Sequence, residues 1–370
     1  MPRPIRAVVH LDALQHNLNI AKASAPNTEV FAVVKANAYG HGIERVYPVF
    51  QSADGFALLD LAEAERLRAL GWKGKIILLE GVFTAEDLEI CANLNLCFSL
   101  HSQHQIEWLE QFQQINPDTK FDVYLKLNSG MNRLGFQAYE YADIFKQVQA
   151  LENVRSITHM THFSDADGQR FGQEGIDYQY SLFKKITQPL AGQTSVSNSA
   201  AILRHHSHIQ SDIVRSGIML YGSSPDYPTH SIQDWNLKPS MSLRSEIIAI
   251  QDIQAGQSVG YGSNFVAEQV MRIGVVACGY ADGYQRISQT GTPVLVDGIR
   301  TETIGRVSMD MLTVDLTAVP QAKVGSEVVL CGKSSHGTVL PIDEVAAGSG
   351  TVGYELMCGI TARVPVQVES

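Results

Sequence analysis

Residues 31–42 read FAVVKANAYGHG, an apolar run from Phe31 to Val34 that ends on a lysine and passes into small residues around Tyr39. A lysine closing a buried strand carries a desolvation cost, and for a lone lysine a solvated strand end followed by a turn is the ordinary reading. The rest of the chain decides. Short β-type runs recur at 30–34, 55–59, 75–79, 96–100, 121–127, 157–163, 194–198 and 212–221. Segments of helical spacing lie between them. In DLAEAERLRALGW, Leu61, Ala64, Leu67 and Leu70 make one apolar face; in TAEDLEICANLN, Thr84 stands as a cap with Asp87 three residues on. Eight strands alternating with helices is the count of a closed (β/α)8 TIM-type barrel, with an open doubly wound sheet as its competitor.

Beyond SSPDYPTHSIQDW the texture changes. From about Met241 come short, glycine-punctuated β-type runs: SLRSEIIAI, RIGVVACG, TPVLVDG, MLTVDL, SEVVLCG and ARVPVQV. The expected division is therefore a barrel over residues 1–228 and an all-β domain over 229–370. With 370 residues, 45% of them hydrophobic and 18% charged, the chain can bury a sizeable core. A net charge of −10 with no basic run argues against nucleic acid as a partner. The five cysteines are scattered without C-x-x-C spacing, which fits a reducing compartment better than a disulfide scaffold or thiolate zinc site. No segment reads as a signal peptide or membrane span, so the expected location is the cytoplasm.

Active sites of barrels lie at the C-terminal ends of the strands. Lys35 ends the first run, Lys126 the fifth and His162 the sixth, with Arg133 in the loop after the fifth. Asn198 and Ser199 end the seventh; Arg215 and Gly217 fall in the eighth. Singly, His162 is as well explained as a core histidine and Arg215 as an ion-pair partner. Their shared rim is harder to dismiss. A desolvated lysine among cations has a lowered pKa and a nucleophilic amine, as a Schiff base requires. Serine, glycine and backbone N–H groups in SNSAA and RSGIMLYG suit a phosphate, and Tyr39 is four residues from Lys35. Lysine plus phosphate cradle points to pyridoxal phosphate, although an aldolase-type lysine holding a sugar phosphate remains open on spacing alone. The histidines of RHHSH (His205, His206, His208), with His101 and His104, read as solvated surface rather than a metal site.

Nine motifs carry a resemblance. AVVKANAYGHG, LKLNSGMNRLGF, MTHFSDADG, SVSNSAAILR, VRSGIMLYG, SVGYGSNF, CGYADGY, GRVSMDM and YELMCGITARVP occur in one order over nearly the whole chain. Together they resemble the alanine racemases. The resemblance implies a pyridoxal 5'-phosphate enzyme that racemises L- and D-alanine, built as a barrel plus β-domain. It also implies a head-to-tail homodimer in which the β-domain contributes to the partner's active site. Inverting a Cα centre needs proton transfer on both faces, hence two bases. The match puts Lys35 as cofactor lysine and first base, and Tyr261, from the other subunit, as second. A tyrosine anion at pH 7 costs about 4 kcal/mol against a free pKa near 10, and His162 and Arg215 are implied to offset it. Arg215 is implied to donate to the pyridine nitrogen; Tyr39, Asn198, Ser199, Gly217, Ile218 and Tyr354 are implied to complete the cofactor site. Arg133 and the backbone N–H of Met309 are implied to hold the substrate carboxylate, with Lys126 (carbamylated in several members), Asp310 and Tyr280 in support. Arg286, Arg306, Asp167 and Val352 would line the entry. Asn128-Ser129 stands where the common form has Asp-Thr, a departure that resembles a catabolic branch. A broad-specificity amino-acid racemase is the near alternative, and a barrel-type decarboxylase a more distant one, which Arg215 argues against.

Overall fold

The eight β-type runs of the first two-thirds all fall on strands of one parallel sheet in the computed structural model, which describes residues 3–370. The strands are Glu29–Val33, Gly55–Leu58, Lys75–Leu78, Cys97–Leu100, Phe121–Lys126, Val154–Met160, Gln193–Ser195 and Ile213–Ser216. The last pairs in parallel with the first, Arg215 opposite Phe31. Between the seventh and eighth, the N–H of Asp212 donates to the Thr194 carbonyl at 3.0 Å and that of Arg215 to the Ser197 carbonyl at 3.0 Å. The sheet therefore closes into the expected barrel. Both faces of its strands are covered: Phe31 on one face and Phe56 and Phe98 on the other are all fully buried. Helix Leu61–Ala69 starts on Asp60, whose carboxylate accepts from the Ala62 N–H at 2.8 Å, and buries Ala64 and Leu67. Asp87 accepts from the N–H of Thr84 at 2.9 Å, the reciprocal half of a capping box. The sixth strand lies three residues earlier than its run, and the eighth stops at Ser216 before a 3-10 turn, Ile218–Tyr221.

The chain divides into two compact units. One, residues 18–38 and 42–220, holds the barrel; the other takes residues 3–17, 39–41 and 221–370. The second unit is built on a nine-stranded sheet that uses every β-type run read after Met241. Two features differ from the expected all-β domain beginning at residue 229. The N-terminal strand Arg6–His10 belongs to this sheet, antiparallel to Met241–Ile253 and parallel to Val366–Glu369. Helices Ile342–Gly348 and Gly353–Cys358 also join it. The strand is short and its partners lie more than two hundred residues away, so no local signal ties it to them. Among the described residues no helix is long and apolar enough to cross a membrane.

Candidate active site

Lys35 stands two residues beyond the first barrel strand and opens a turn that L-residues seldom form. Ala36, Asn37 and Ala38 all have left-handed backbone, with φ of 54°, 53° and 55°, at about 1–2 kcal/mol per residue. Such strain persists only where neighbours over-determine it, and here Asn37 is the fastening point. Its N–H donates to Glu63 at 2.6 Å; its side-chain oxygen accepts from Arg66 at 2.7 Å and from the Ile43 N–H at 3.2 Å. The Ala38 N–H closes back on the Val34 carbonyl at 2.8 Å.

Lys126, Arg133, His162 and Arg215 lie on the same unit as Lys35, and the cations among them act on Lys126 and His162. Burial first, then Arg215 and Arg133, push the buried Lys126 amine down to about 8, with Glu80 opposing and Lys35 adding a smaller push. Burial, followed by Arg215, Lys126, Arg133 and Lys35, holds His162 well below the usual histidine range, so it is neutral at pH 7. Arg215 is fully enclosed and burial lowers it to about 10, still a cation. Its guanidinium donates to Ser195 Oγ at 2.7 Å, to the Thr161 carbonyl at 2.8 Å and to the Val196 carbonyl at 3.3 Å. Its Nη2 stands 3.5 Å from His162 Nδ1. A neutral imidazole beside a cation offers Nδ1 as an acceptor.

The residues read as phosphate ligands fall in both units. In the barrel unit, Asn198 caps helix Ser199–His205, its side chain accepting from the Ala201 N–H at 3.0 Å. Ser199 Oγ accepts from the N–H groups of Gly217 at 2.9 Å and Met219 at 3.3 Å, gathering hydroxyl and amides at one point, with Ile218 between them. In the other unit, the Tyr39 ring lies 4.6 Å from that of Tyr221 and 5.9 Å from that of Tyr354. Burial raises the Tyr39 hydroxyl above its ordinary range, so it stays a donor at neutral pH. His41 Nδ1 donates to the Tyr39 carbonyl at 3.1 Å and fastens that segment.

Tyr261 opens a short turn, Tyr261–Ser263, and is 71% exposed. Gly262 has φ 76°, and a Cβ there would sit 2.9 Å from Arg306 Nη1. With the Asn264 amide turned so that its oxygen faces Arg306, the orientation that satisfies both ends of the amide, Arg306 braces the turn, donating through Nε and Nη2 at 2.9 and 3.1 Å. The N–H of Tyr280 donates to the Ser308 carbonyl at 3.0 Å and that of Ala281 to the Met309 carbonyl at 2.9 Å, so Tyr280 and Met309 share one exposed edge. Asp310 is tied to Arg363 at 2.7 Å. Two histidines read as solvated are otherwise: His205 is buried with Nε2 donating to the Ala166 carbonyl at 3.0 Å, and His101 donates to the Glu80 carbonyl at 3.0 Å. Sequence reading also passed over Thr161, Ser195 and Gln179. Thr161 and Ser195 sit on quoted motifs or runs, but nothing in their type marks them.

A family model described as alanine racemase, N-terminal domain, matches residues 9–225, and one described as alanine racemase, C-terminal domain, matches residues 240–368. The chain belongs to the alanine racemase family. Members are isomerases that act on an amino acid, and this chain is one of them. It is 66% identical over 364 residues to the alanine racemase of Acinetobacter baumannii (strain SDF), covering 98% of each. It is 56% identical over 372 residues to that of Methylibium petroleiphilum, covering 100% of both. Among solved structures, the biosynthetic alanine racemase from Pseudomonas aeruginosa gives a TM-score of 0.92 at 42% identity over 100% of both chains. The alanine racemase from Acinetobacter baumannii gives 0.90 at 37%, covering 99% of this chain and 100% of that one.

Proposed function

We propose that this chain interconverts L- and D-alanine with pyridoxal 5'-phosphate by a two-base mechanism in a homodimer. The observation that carries the proposal is the cation cluster of Lys35, Lys126, Arg133 and Arg215 on one barrel unit, with neutral His162 among them. A buried amine depressed to about 8, with three further cations acting on it, fits a site that receives anions. The donor set fits this cofactor. Lys35 would hold it through its amine; the Ser199 hydroxyl with the Gly217 and Ile218 backbone, Asn198, Tyr39 and Tyr354 would serve its phosphate. Arg215 presents only donors, so a ring nitrogen placed there stays unprotonated. Bound pyridoxal phosphate supplies an electron sink that makes the Cα proton removable.

The chain's own residues do the rest. Arg133 fixes the substrate carboxylate by a charge-assisted pair, joined by the amide of Met309 of the partner subunit. Lys35 Nζ moves the proton on one face of Cα, and the hydroxyl of Tyr261 of the partner subunit moves it on the other. His162 and Arg215 form the chain of donors and acceptors that steadies charge beside that tyrosine, while Asp310, Tyr280 and Lys126 support the substrate pocket. The exposure of Tyr261, at 71%, and of Met309, at 53%, suits residues that act across a subunit boundary. The five cysteines are scattered without C-x-x-C spacing, which suits a cytoplasmic enzyme. Circular dichroism of L- and D-alanine under the holoenzyme tests the activity, with borohydride reduction trapping Lys35. A panel of larger amino acids separates this reading from a broad-specificity racemase. Loss of neither rotation nor trap in a Lys35→Ala variant would sink the assignment.

A further inference from the structure

Gln179 lies on helix Gly175–Thr187, remote in sequence from the site residues, and is 0% exposed. A buried primary amide has to satisfy one acceptor and two donors, or bear a desolvation penalty. Its side-chain oxygen accepts from the Ser164 N–H at 2.8 Å, while the Ser164 hydroxyl gives its proton to the Asp165 carboxylate. Its nitrogen donates to Ser129 Oγ at 3.2 Å and to the His162 carbonyl at 3.3 Å. Since the Ser164 N–H is only a donor, the amide has one workable orientation.

The bonds beyond it have one direction too. The Thr161 hydroxyl donates to the Leu127 carbonyl at 2.9 Å, so its oxygen receives the Ser129 hydroxyl at 2.7 Å. Ser129 is then left to accept from Gln179. Each proton is used once, along Gln179, Ser129, Thr161 and Leu127. The ends of this chain are site elements: Leu127 follows Lys126, and Arg215 donates to the Thr161 carbonyl at 2.8 Å. A second tie runs parallel, with Arg170 donating to the Gly130 carbonyl at 3.2 Å and to Ser164 Oγ at 3.0 Å.

We propose that Gln179 is a positioning residue for the racemase site, locking the loop that carries Arg133 to the segment that carries His162. It sets the spacing between the arginine that receives the substrate carboxylate and the His162–Arg215 pair, and so rests on the roles proposed above for those residues. Removing its two donors strands the Ser129 lone pair and the His162 carbonyl. A loop shift of about 1 Å is enough to cost up to 10²-fold in rate.

The test uses full-chain holoenzymes carrying Gln179→Leu, Gln179→Glu, Ser129→Ala, and the Gln179→Leu/Ser129→Ala pair. Glutamate keeps the shape and the acceptor for Ser164 but loses both donors when ionised and keeps at most one when protonated. Each single change is expected to raise KM for alanine about tenfold with a smaller fall in kcat. The pair should be no worse than its worse member, because both break one chain. Hydrogen exchange should quicken in peptides covering 128–133 and 161–165, while strands Glu29–Val33 and Gly55–Leu58 stay protected. Unchanged KM in both Gln179 variants, losses that multiply, or exchange rising evenly over the barrel would overturn the proposal. The exchange readout needs no turnover. A wild-type chain unable to interconvert the enantiomers would therefore remove the proposed function while the tie itself is still measured.

Discussion

Lys126 carries the sharpest conflict of any single residue: a buried ammonium at about 8 with Arg215, Arg133 and Lys35 acting on it. An amine so lowered is partly unprotonated near neutral pH and open to carbon dioxide. The sign of its pH effect follows from the depressed pKa. Below pH 8 both folded and unfolded chains hold the proton and the folded chain bears the full penalty. Between 8 and 10.5 the unfolded chain alone holds it, so stability rises with pH. In carbon-dioxide-free buffer, Lys126→Met should raise Tm at pH 7, with the gain fading over that window. In bicarbonate the wild type should gain the mass of one CO2, Arg133 should gain an anionic partner, and the ranking should reverse. Intact-mass spectra and melting curves check both halves; an unchanged mass with an unchanged ranking excludes a carbamate. At Arg215, glutamate would let a ring nitrogen take a proton and deepen the electron sink. Arg215→Glu should raise pyruvate formed per racemisation, measurable by coupled assay, and equal partitioning would count against the role given to this arginine. His162 and Arg215 were legible in sequence because they stand at strand ends where charge is unusual. Gln179 was not, since an amide inside a helix looks like solvated surface until its neighbours are known.

At the level of elements, the barrel was legible because its eight strands fall on short β-type runs, most of them apolar, and the spacing of the runs survives small errors in their ends and a polar seventh strand. The left-handed turn after Lys35 was not, because KANAY holds no glycine to mark positive φ; it is tertiary hydrogen bonds at Asn37 that impose it. The turn gives a clean test at Ala36, which is exposed and so free of packing effects. Ala36→Gly should stabilise the chain by about 1 kcal/mol, since glycine adopts this backbone without steric cost, whereas Ala36→Val should destabilise it by a similar or larger amount. Denaturant melts of the two variants compare the signs. If valine is neutral, Ala36 does not hold φ of 54° in the native state.

The whole molecule poses the question the barrel rim cannot answer alone, namely which chain supplies the proposed second base. Lys35 and Tyr261 sit in different units of this chain, and the β unit presents Tyr261 and Met309 outward. If each site takes Lys35 from one protomer and Tyr261 from its partner, two inactive variants should repair each other. In a mixed dimer of Lys35→Ala and Tyr261→Ala chains, one site keeps both residues and the other loses both. Random assortment makes about half of the dimers mixed, so about a quarter of all sites regain both bases. Each variant alone should be nearly inactive, and mixing after dissociation and reassociation should restore turnover toward that fraction of wild type. Were Tyr261 to serve its own chain, every site in every dimer would lack one base and mixing would restore nothing. The two arrangements differ in kind rather than degree, so the recovered rate separates them even when exchange between subunits is incomplete.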